Sequence, residues 1–103
     1  MSYVNNLRMF VRVYDLSSMS AAARDQRTSP AVASARISEL EKHLGVRLFN
    51  RTTRSLQPTE AGRNFYEGAQ KVLEAIDAAE AAVMETAQNP RGVVFVAAPL
   101  GIG

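Results

Sequence analysis

The main helix start of this chain lies in Ser29-Pro30-Ala31-Val32-Ala33-Ser34-Ala35-Arg36-Ile37. A serine oxygen can accept from the free amides of a first helical turn, and proline has no amide to leave unpaired there. The stretch therefore predicts a helix that begins at Pro30 and ends before Gly45. Its apolar residues recur at steps of four, three and four, which places one core face on Ala33, Ile37, Leu40 and Leu44.

The opposite face of this helix carries unusually small side chains. Its first turns carry alanines and serines where a helix that is merely solvated would carry glutamate, lysine or glutamine. The face consists of Ala31, Ala35, Ser38 and Lys42, with Ser34 flanking them. A surface this small lets the helix backbone approach a partner closely.

A shorter helix is predicted just upstream, over residues 20–26 with Ser20 as its N-cap. The polar turn at residues 27–29 separates it from the longer helix. Two helices joined in this way form a helix-turn-helix, whose second helix can lie in the DNA major groove. Any all-helical domain can contain such a pair, so a protein-recognition module without DNA binding remains the alternative.

The composition fits one domain, with or without an appended element, in a chain of 103 residues. There is no cysteine, which excludes a disulfide framework and a thiolate metal site. The N-terminus lacks a basic region followed by an apolar run, and no stretch approaches the roughly 18 apolar residues of a membrane span. We expect a soluble, cytoplasmic protein.

The charge is divided unevenly along the chain. Residues 1–63 carry ten Lys and Arg against five Asp and Glu, whereas residues 64–103 carry two against five. Arginine dominates the basic half, and its planar fork offers paired donors to an oxyanion. This half favours a polyanionic partner, although an arginine excess can also serve only to solvate a surface.

The first helix is predicted to begin with Asn5 or Asn6 as its cap and to end near Leu16. Its core stripe at i, i+3, i+4 and i+7 would consist of Leu7, Phe10, Val11 and Tyr14. Arg8 and Arg12 would form a solvated pair on the outer side.

A small β-hairpin is predicted after Gly45, because residues 46–49 and 55–58 alternate around a polar tip. Leu48 and Leu56 would face the core. Arg51 and Arg54 would project near the tip, where they could reach the DNA backbone or a narrow minor groove. The hairpin would thus be a wing beside the helix-turn-helix.

A long last helix is predicted from the N-cap Thr59 to Gln88, which at about 1.5 Å per residue is roughly 45 Å. A 3.5-residue repeat, typical of a coiled-coil seam, runs through Phe65, Ala69, Val72, Ile76, Ala79 and Val83. The simplest partner is the same helix of a second chain. The alternatives are a helix lying along its own domain and one covered by a following domain.

Residues 89–103 begin with a turn and continue as an apolar β run with no further strand to pair with. We interpret them as a hinge and the first strand of a truncated further domain.

Catalysis is not expected. His43 alone could serve as a base near neutral pH, and no partner is placed beside it by sequence. A glycine-rich phosphate loop and a His or Cys metal cluster are both missing from the sequence. We expect this chain to hold no cofactor and no metal.

Several motifs together resemble the N-terminal region of LysR-type bacterial transcriptional regulators. They are Ser18-Met19-Ser20-Ala21-Ala22-Ala23, Ser29-Pro30-Ala31-Val32, Leu40-Glu41-Lys42-His43-Leu44-Gly45-Val46-Arg47-Leu48-Phe49-Asn50-Arg51 and Thr59-Glu60-Ala61-Gly62. The resemblance implies a mainly α fold, in which three helices and a two-stranded β wing form a winged helix-turn-helix that a long dimerisation (linker) helix follows. The corresponding segments are residues 1–58, with the helix-turn-helix at about 19–38 and the wing at about 46–57, residues 59–88, and residues 89–103 as the start of an effector-binding domain.

The resemblance also implies function. The chain would bind double-stranded DNA as a homodimer at an interrupted palindrome, the full-length protein would form a tetramer, and the missing domain would bind a small-molecule effector. The positions that meet DNA would be Thr28, Ser29, Pro30, Ala31, Ser34, Ala35, Arg36, Arg51 and Arg54, with Ser38 on the same small helical face. Two residues depart from the family: Ala35 stands where many members have arginine, and Gln26 where a core leucine is usual.

Overall fold

The computed structural model describes residues 2–51 and 55–88. Along the chain it contains α1 (Tyr3–Leu16), α2 (Met19–Asp25), α3 (Pro30–Leu44), β1 (Phe49–Arg51), β2 (Leu56–Pro58) and α4 (Glu60–Gln88). Three helices, a two-stranded antiparallel sheet and a long helix confirm the predicted winged helix-turn-helix. The chain divides into two units, residues 1–73 and residues 74–103.

The local signals of α3 act as predicted. The Ser29 Oγ accepts from the Val32 N–H at 3.2 Å, and Pro30 opens the helix. Gly45 ends it in the left-handed region at φ 74°, where its N–H donates to the Glu41 carbonyl at 2.7 Å. Of the predicted core face, Ala33, Ile37 and Leu40 are buried and Leu44 is half-buried.

The predicted cap of α2 was wrong. Ser18, not Ser20, is the N-cap, and its Oγ accepts from the Ala21 N–H at 3.0 Å. The reason lies in the preceding helix, because Ser17 turns the chain in the left-handed region at φ 53° immediately after Leu16. The new helix can therefore begin at Met19.

The predicted cap of α1 was wrong as well. Ser2 caps the helix by accepting from the Asn5 N–H at 3.3 Å, whereas Asn6 lies inside the helix and is 3% exposed. The Asn6 side-chain amide donates to the Glu39 carboxylate on α3 at 3.0 Å. This asparagine therefore joins two helices instead of starting one.

The core face of α1 is rotated from the predicted stripe. Leu7 and Phe10 are buried as expected, but Val11 and Tyr14 are half-buried, and the buried set includes Met9 and Val13. Phe10 is fully buried at the centre of an aromatic cluster, with ring centroids 5.5 Å from Phe49, 5.3 Å from Phe65, 6.1 Å from Tyr14 and 6.5 Å from Tyr66. The wing and the start of α4 thus share one core with α1.

The wing pairs β1 with β2 so that Phe49 faces Pro58, Asn50 faces Gln57 and Arg51 faces Leu56. Residues 46–48 were predicted to begin the first strand, but β1 starts only at Phe49. The expected orientation holds, since Leu48 is buried and Leu56 half-buried. The tip with Arg54 lies outside the described residues, as do residues 89–103.

The long helix begins where it was predicted. The Thr59 Oγ1 accepts from the Gly62 N–H at 3.0 Å, as expected of an N-cap, and α4 then runs from Glu60 to Gln88. Within residues 2–51 and 55–88, no helix is both long enough and apolar enough to cross a bilayer.

Candidate nucleic-acid interface

The predicted contact residues of the helix-turn-helix do not all share one surface, because helical spacing places Ala31, Ser34, Ala35 and Ser38 on one face of α3 and Arg36 on another. Five of them are exposed, namely Ser29, Pro30, Ala31, Ala35 and Ser38, while Thr28, Ser34 and Arg36 are half-buried. The turn that leads into α3 is fixed, because Arg27 adopts a left-handed φ of 58° and the Thr28 N–H donates to the Ala23 carbonyl at 2.8 Å. We call the face of α3 that carries Ala31, Ser34, Ala35 and Ser38 the small face.

A hydrogen bond links the first strand of the wing to the small face. The Nη1 of Arg51, on β1, donates to the Ser34 Oγ on α3 at 3.3 Å. Both residues were predicted from the sequence as DNA contacts, and the structure brings them together. The exposed guanidinium of Arg51 therefore lies beside the small face, and a single polyanion could contact both.

Arg36 differs from its neighbours on α3. Its Nε is buried and has no hydrogen-bond partner among the described residues. Helical spacing of about 100° per residue places Arg36 on a different side of α3 from Ala31 and Ser38.

Glu41 fixes the base of the wing, and sequence reasoning did not single it out as a site residue. Its carboxylate accepts from the Leu48 N–H at 2.8 Å and the Phe49 N–H at 3.3 Å, and lies 3.5 Å from the Arg47 Nε. The Glu41 side chain is only 11% exposed. The signal was present in the motif that begins at Leu40, where an acidic residue precedes Leu48 by seven positions.

The same base of the wing is also held from α4, by Thr59 and Gly62. The Thr59 hydroxyl donates to the Arg47 carbonyl at 2.6 Å, and its N–H donates to the Leu48 carbonyl at 2.9 Å. Gly62 packs so closely that a Cβ at this position would overlap the Leu48 carbonyl oxygen. The threonine and the glycine of the Thr-Glu-Ala-Gly motif are thus explained by their contacts with the main chain of residues 47 and 48.

Arg12 is not the simple solvated residue that the sequence suggested. Its Nε lies 2.9 Å from Asp25 at the end of α2, and its Nη1 lies 3.4 Å from Asp15. Asp15 also accepts from the hydroxyl of Tyr66 on α4. That hydrogen bond, followed by burial and the Asp15 charge, raises the pKa of Tyr66 from 10.0 to about 12.

The predicted dimer seam on α4 differs in exposure along its length. In the first unit, Phe65 is half-buried, Ala69 is buried and Val72 is 46% exposed. In the second unit, Ile76 is half-buried, Ala79 is exposed and Val83 is 69% exposed. Met84 beside it is 61% exposed.

His43 is exposed at the end of α3, and its ring makes an edge contact with Tyr3 at 5.3 Å between centroids. In the part of the chain that the structure describes, no group of three or more His, Asp or Glu residues is arranged to hold a metal ion.

The sequence of the winged helix-turn-helix matches one protein family. Residues 4–63 match the family described as "Bacterial regulatory helix-turn-helix protein, lysR family". The chain belongs to the lysR family. The matched residues extend from α1 through the wing to the first residues of α4, so they include the whole small face and Arg51.

Relatives of this lysR-family chain are longer than the chain itself. A protein of Haemophilus influenzae named "Uncharacterized HTH-type transcriptional regulator" is 35% identical over 103 residues, which are 100% of this chain and 36% of that protein. The chain therefore spans about a third of the length of this relative.

Two solved structures similar to this lysR-family chain contain DNA. The BenM_DBD/catB site 1 DNA complex has a TM-score of 0.78 at 31% identity and covers 84% of this chain and 96% of that one. Full-length CbnR complexed with its target DNA has a TM-score of 0.75 at 30% identity, and covers 84% of this chain and 30% of that one.

Proposed function

We propose that this chain is the DNA-binding part of a lysR-type transcriptional regulator and binds double-stranded DNA with α3 in the major groove. The observation that carries the proposal is the small face of α3 with Arg51 attached to it at Ser34. BenM_DBD and CbnR, which share this fold, are each described in complex with DNA. The relative from Haemophilus influenzae is named a transcriptional regulator.

Base recognition would fall to the small face. A recognition helix presents its N-terminal residues to base edges, and Ala31 and Ala35 are exposed there. A methyl side chain suits contact with the methyl group of thymine, and Ser34 and Ser38 add hydroxyl groups that can pair with bases or phosphates. Specificity would therefore combine apolar contacts with DNA shape.

The arginines would supply charge for the DNA backbone. Arg51 is exposed on β1, and Arg54 would extend this charge at the tip of the wing, on phosphates or in an adjacent minor groove. Arg36 would serve a phosphate from a different side of α3. Because these contacts neutralise phosphates, affinity would fall steeply as the salt concentration rises.

The chain would act as a homodimer through α4, on two half-sites of an interrupted palindrome. In the second unit, Val83 and Met84 expose apolar surface that a partner helix would cover. Two-fold symmetry of the protein would then match two-fold symmetry of the operator. Changing Ile76 to aspartate in the middle of the seam should break the dimer, and an unchanged mass in sedimentation would exclude this pairing.

The longer protein would be a regulator and not an enzyme, because its relatives include named transcriptional regulators. Its additional domain would bind a small-molecule effector, and the full-length protein would form tetramers on DNA at the bacterial nucleoid. The present chain would need no cofactor for DNA binding.

The decisive experiment titrates this chain against random-sequence duplex and against a pool selected for binding, at two salt concentrations, with the bound species sized. Salt-sensitive binding of a dimer to an enriched two-fold sequence is the expected result. A well-folded dimer that binds no DNA would refute the proposal and favour a protein-recognition module.

A matched pair of variants tests the part played by the wing. Arg51→Ala should weaken binding to all duplex sequences alike and reduce the salt slope by about 1 for each chain bound. Lys71→Ala removes the same charge from an exposed position on α4 and should leave affinity unchanged. A loss confined to the selected sequence would instead make Arg51 a base reader.

A further inference from the structure

A chain of polar contacts connects the helix-turn-helix to the base of α4. It begins at Asp25, the last residue of α2, whose carboxylate lies 2.9 Å from the Arg12 Nε. Arg12 contacts one oxygen of Asp15 at 3.4 Å, and the other oxygen accepts from the Tyr66 hydroxyl. The Gln70 amide, one turn further along α4, donates to the Tyr66 hydroxyl oxygen at 3.0 Å. The contacts thus join α2, α1 and α4.

The Tyr66 ring is held separately from its hydroxyl. It stacks on Tyr14 with a centroid distance of 3.9 Å and an interplanar angle of 15°. Stacked rings attract each other through surface and dispersion forces, which change little when one ring slides or turns in its plane. A hydrogen bond to a carboxylate is directional. The stack therefore helps to hold α4 against α1 together with the Phe10–Phe65 contact, whereas the Tyr66 hydroxyl adds a directional contact between the two helices.

We propose that Tyr66 and Asp15 are positioning residues that set the direction in which α4 leaves the helix-turn-helix, and so the half-site spacing that the dimer prefers. The inference rests on the proposed function as a DNA-binding dimer. Neither residue is assigned a contact with DNA, because the side chains of Tyr66 and Asp15 contact each other and join α4 to α1.

A small tilt of α4 at Tyr66 is enough to change the separation of the two small faces in a dimer. A helix rises about 15 Å in ten residues, so a tilt of about 13° at one end displaces the other end by about 3.4 Å, one base-pair step. A change of this size at the base of α4 would alter the separation of the two small faces by a base pair or more. Spacing preference is therefore the property that should respond to the Tyr66 hydroxyl.

The test compares Tyr66→Phe with Tyr14→Phe. The first removes the hydroxyl that donates to Asp15, whereas the second removes the hydroxyl from the other ring of the same stack and leaves that hydrogen bond in place. Affinity is measured for duplexes that carry two selected half-sites at the optimal separation or one or two base pairs away from it, and for a duplex with a single half-site.

Tyr66→Phe should reduce the preference for the optimal separation over its neighbours by about threefold to tenfold, the value of one hydrogen bond, with single half-site affinity unchanged. Tyr14→Phe should keep the wild-type preference. Asp15→Ala removes the acceptor of this hydrogen bond together with the Arg12 contact, so it should reduce the preference at least as much. Adding Tyr66→Phe to Asp15→Ala should cause no further loss, because the Tyr66–Asp15 hydrogen bond is already absent.

The outcomes separate this inference from the function on which it rests. A wild-type chain that binds no DNA, or binds only as a monomer, would overturn both. A wild-type chain with a clear spacing preference that Tyr66→Phe retains would overturn the positioning role alone. An equal loss of single half-site affinity in Tyr66→Phe would show that the hydroxyl supports the fold of the helix-turn-helix, and this too would overturn the proposed role.

Discussion

Alanine at Gly62 should destabilise this chain, whereas alanine at Gly68 on the same helix should stabilise it. Alanine favours a helix interior over glycine by about 0.8–1 kcal/mol. At Gly68 nothing lies within 4 Å of an added Cβ, and the position is exposed, so the full gain is expected there. Gly62 and Gly68 thus differ in their surroundings and not in their secondary structure.

The magnitude at Gly62 follows from main-chain packing. An added Cβ would overlap the Leu48 carbonyl oxygen and lie 3.2 Å from its carbon, and neither atom can move as a flexible side chain can. Overpacking of this kind costs about 1–3 kcal/mol, and loss of the Thr59 N–H bond to Leu48 costs about 1 kcal/mol more. After the helix-propensity gain, we expect a net destabilisation of about 1–3 kcal/mol.

Urea and thermal unfolding, followed by circular dichroism, measure both variants. All samples need one protein concentration, since association makes apparent stability depend on concentration. A change of 1 kcal/mol shifts Tm by about 4–8 °C in a domain of this size, so the two variants should move in opposite directions by easily measured amounts. A Gly62→Ala chain as stable as Gly68→Ala would refute the packing argument.

The base of the wing, the small face and the Tyr66 hydroxyl can each be tested by one substitution. Glu41→Ala leaves two backbone amides without their acceptor and should lower the free energy of unfolding by about 1–3 kcal/mol in urea titrations, whereas Lys42→Ala should change it by less than about 0.5 kcal/mol. Ala35→Glu should lower DNA affinity at least about a hundredfold without changing Tm, because it sets a negative charge against phosphates; normal affinity would show that another face binds DNA. The pKa of the Tyr66 hydroxyl is about 12 in the folded chain, whereas its ordinary value is 10.0. The folded state therefore binds this proton up to a higher pH than the unfolded state does, and the free energy of unfolding of the wild type should fall as pH rises between these values. Tyr66→Phe should lack that component in pH-dependent unfolding, and identical profiles would contradict the assignment.

The sequence was sufficient for elements whose ends are marked locally. Ser29 and Pro30 start α3 and Gly45 ends it, and each acts through its own backbone geometry without help from a distant residue. The 3.5-residue and 3.6-residue patterns also located α4 and the core face of α3. The family of the chain followed from the same residues, because the motif around the wing is specific.

The features that the sequence did not predict depend on contacts between distant residues. Ser18 and Ser20 are equally good caps as sequence, and the choice depends on where Ser17 turns the chain. Asn6 resembles a cap but is buried against Glu39, 33 residues away. The predicted stripe on α1 was displaced because α1 packs against several elements at once, and a single helical period cannot show which residues they cover.

The attachment of the wing has a consequence for how such a chain can change during evolution. Glu41, Thr59 and Gly62 hold the wing through main-chain contacts that do not use the exposed side chains Ala31 and Ala35. Exposed substitutions away from such contacts usually change stability by no more than about 0.5 kcal/mol. On the proposed function, substitutions at Ala31 and Ala35 would change the DNA sequence that is bound while the fold is kept, so selection would act on DNA affinity and on stability nearly independently.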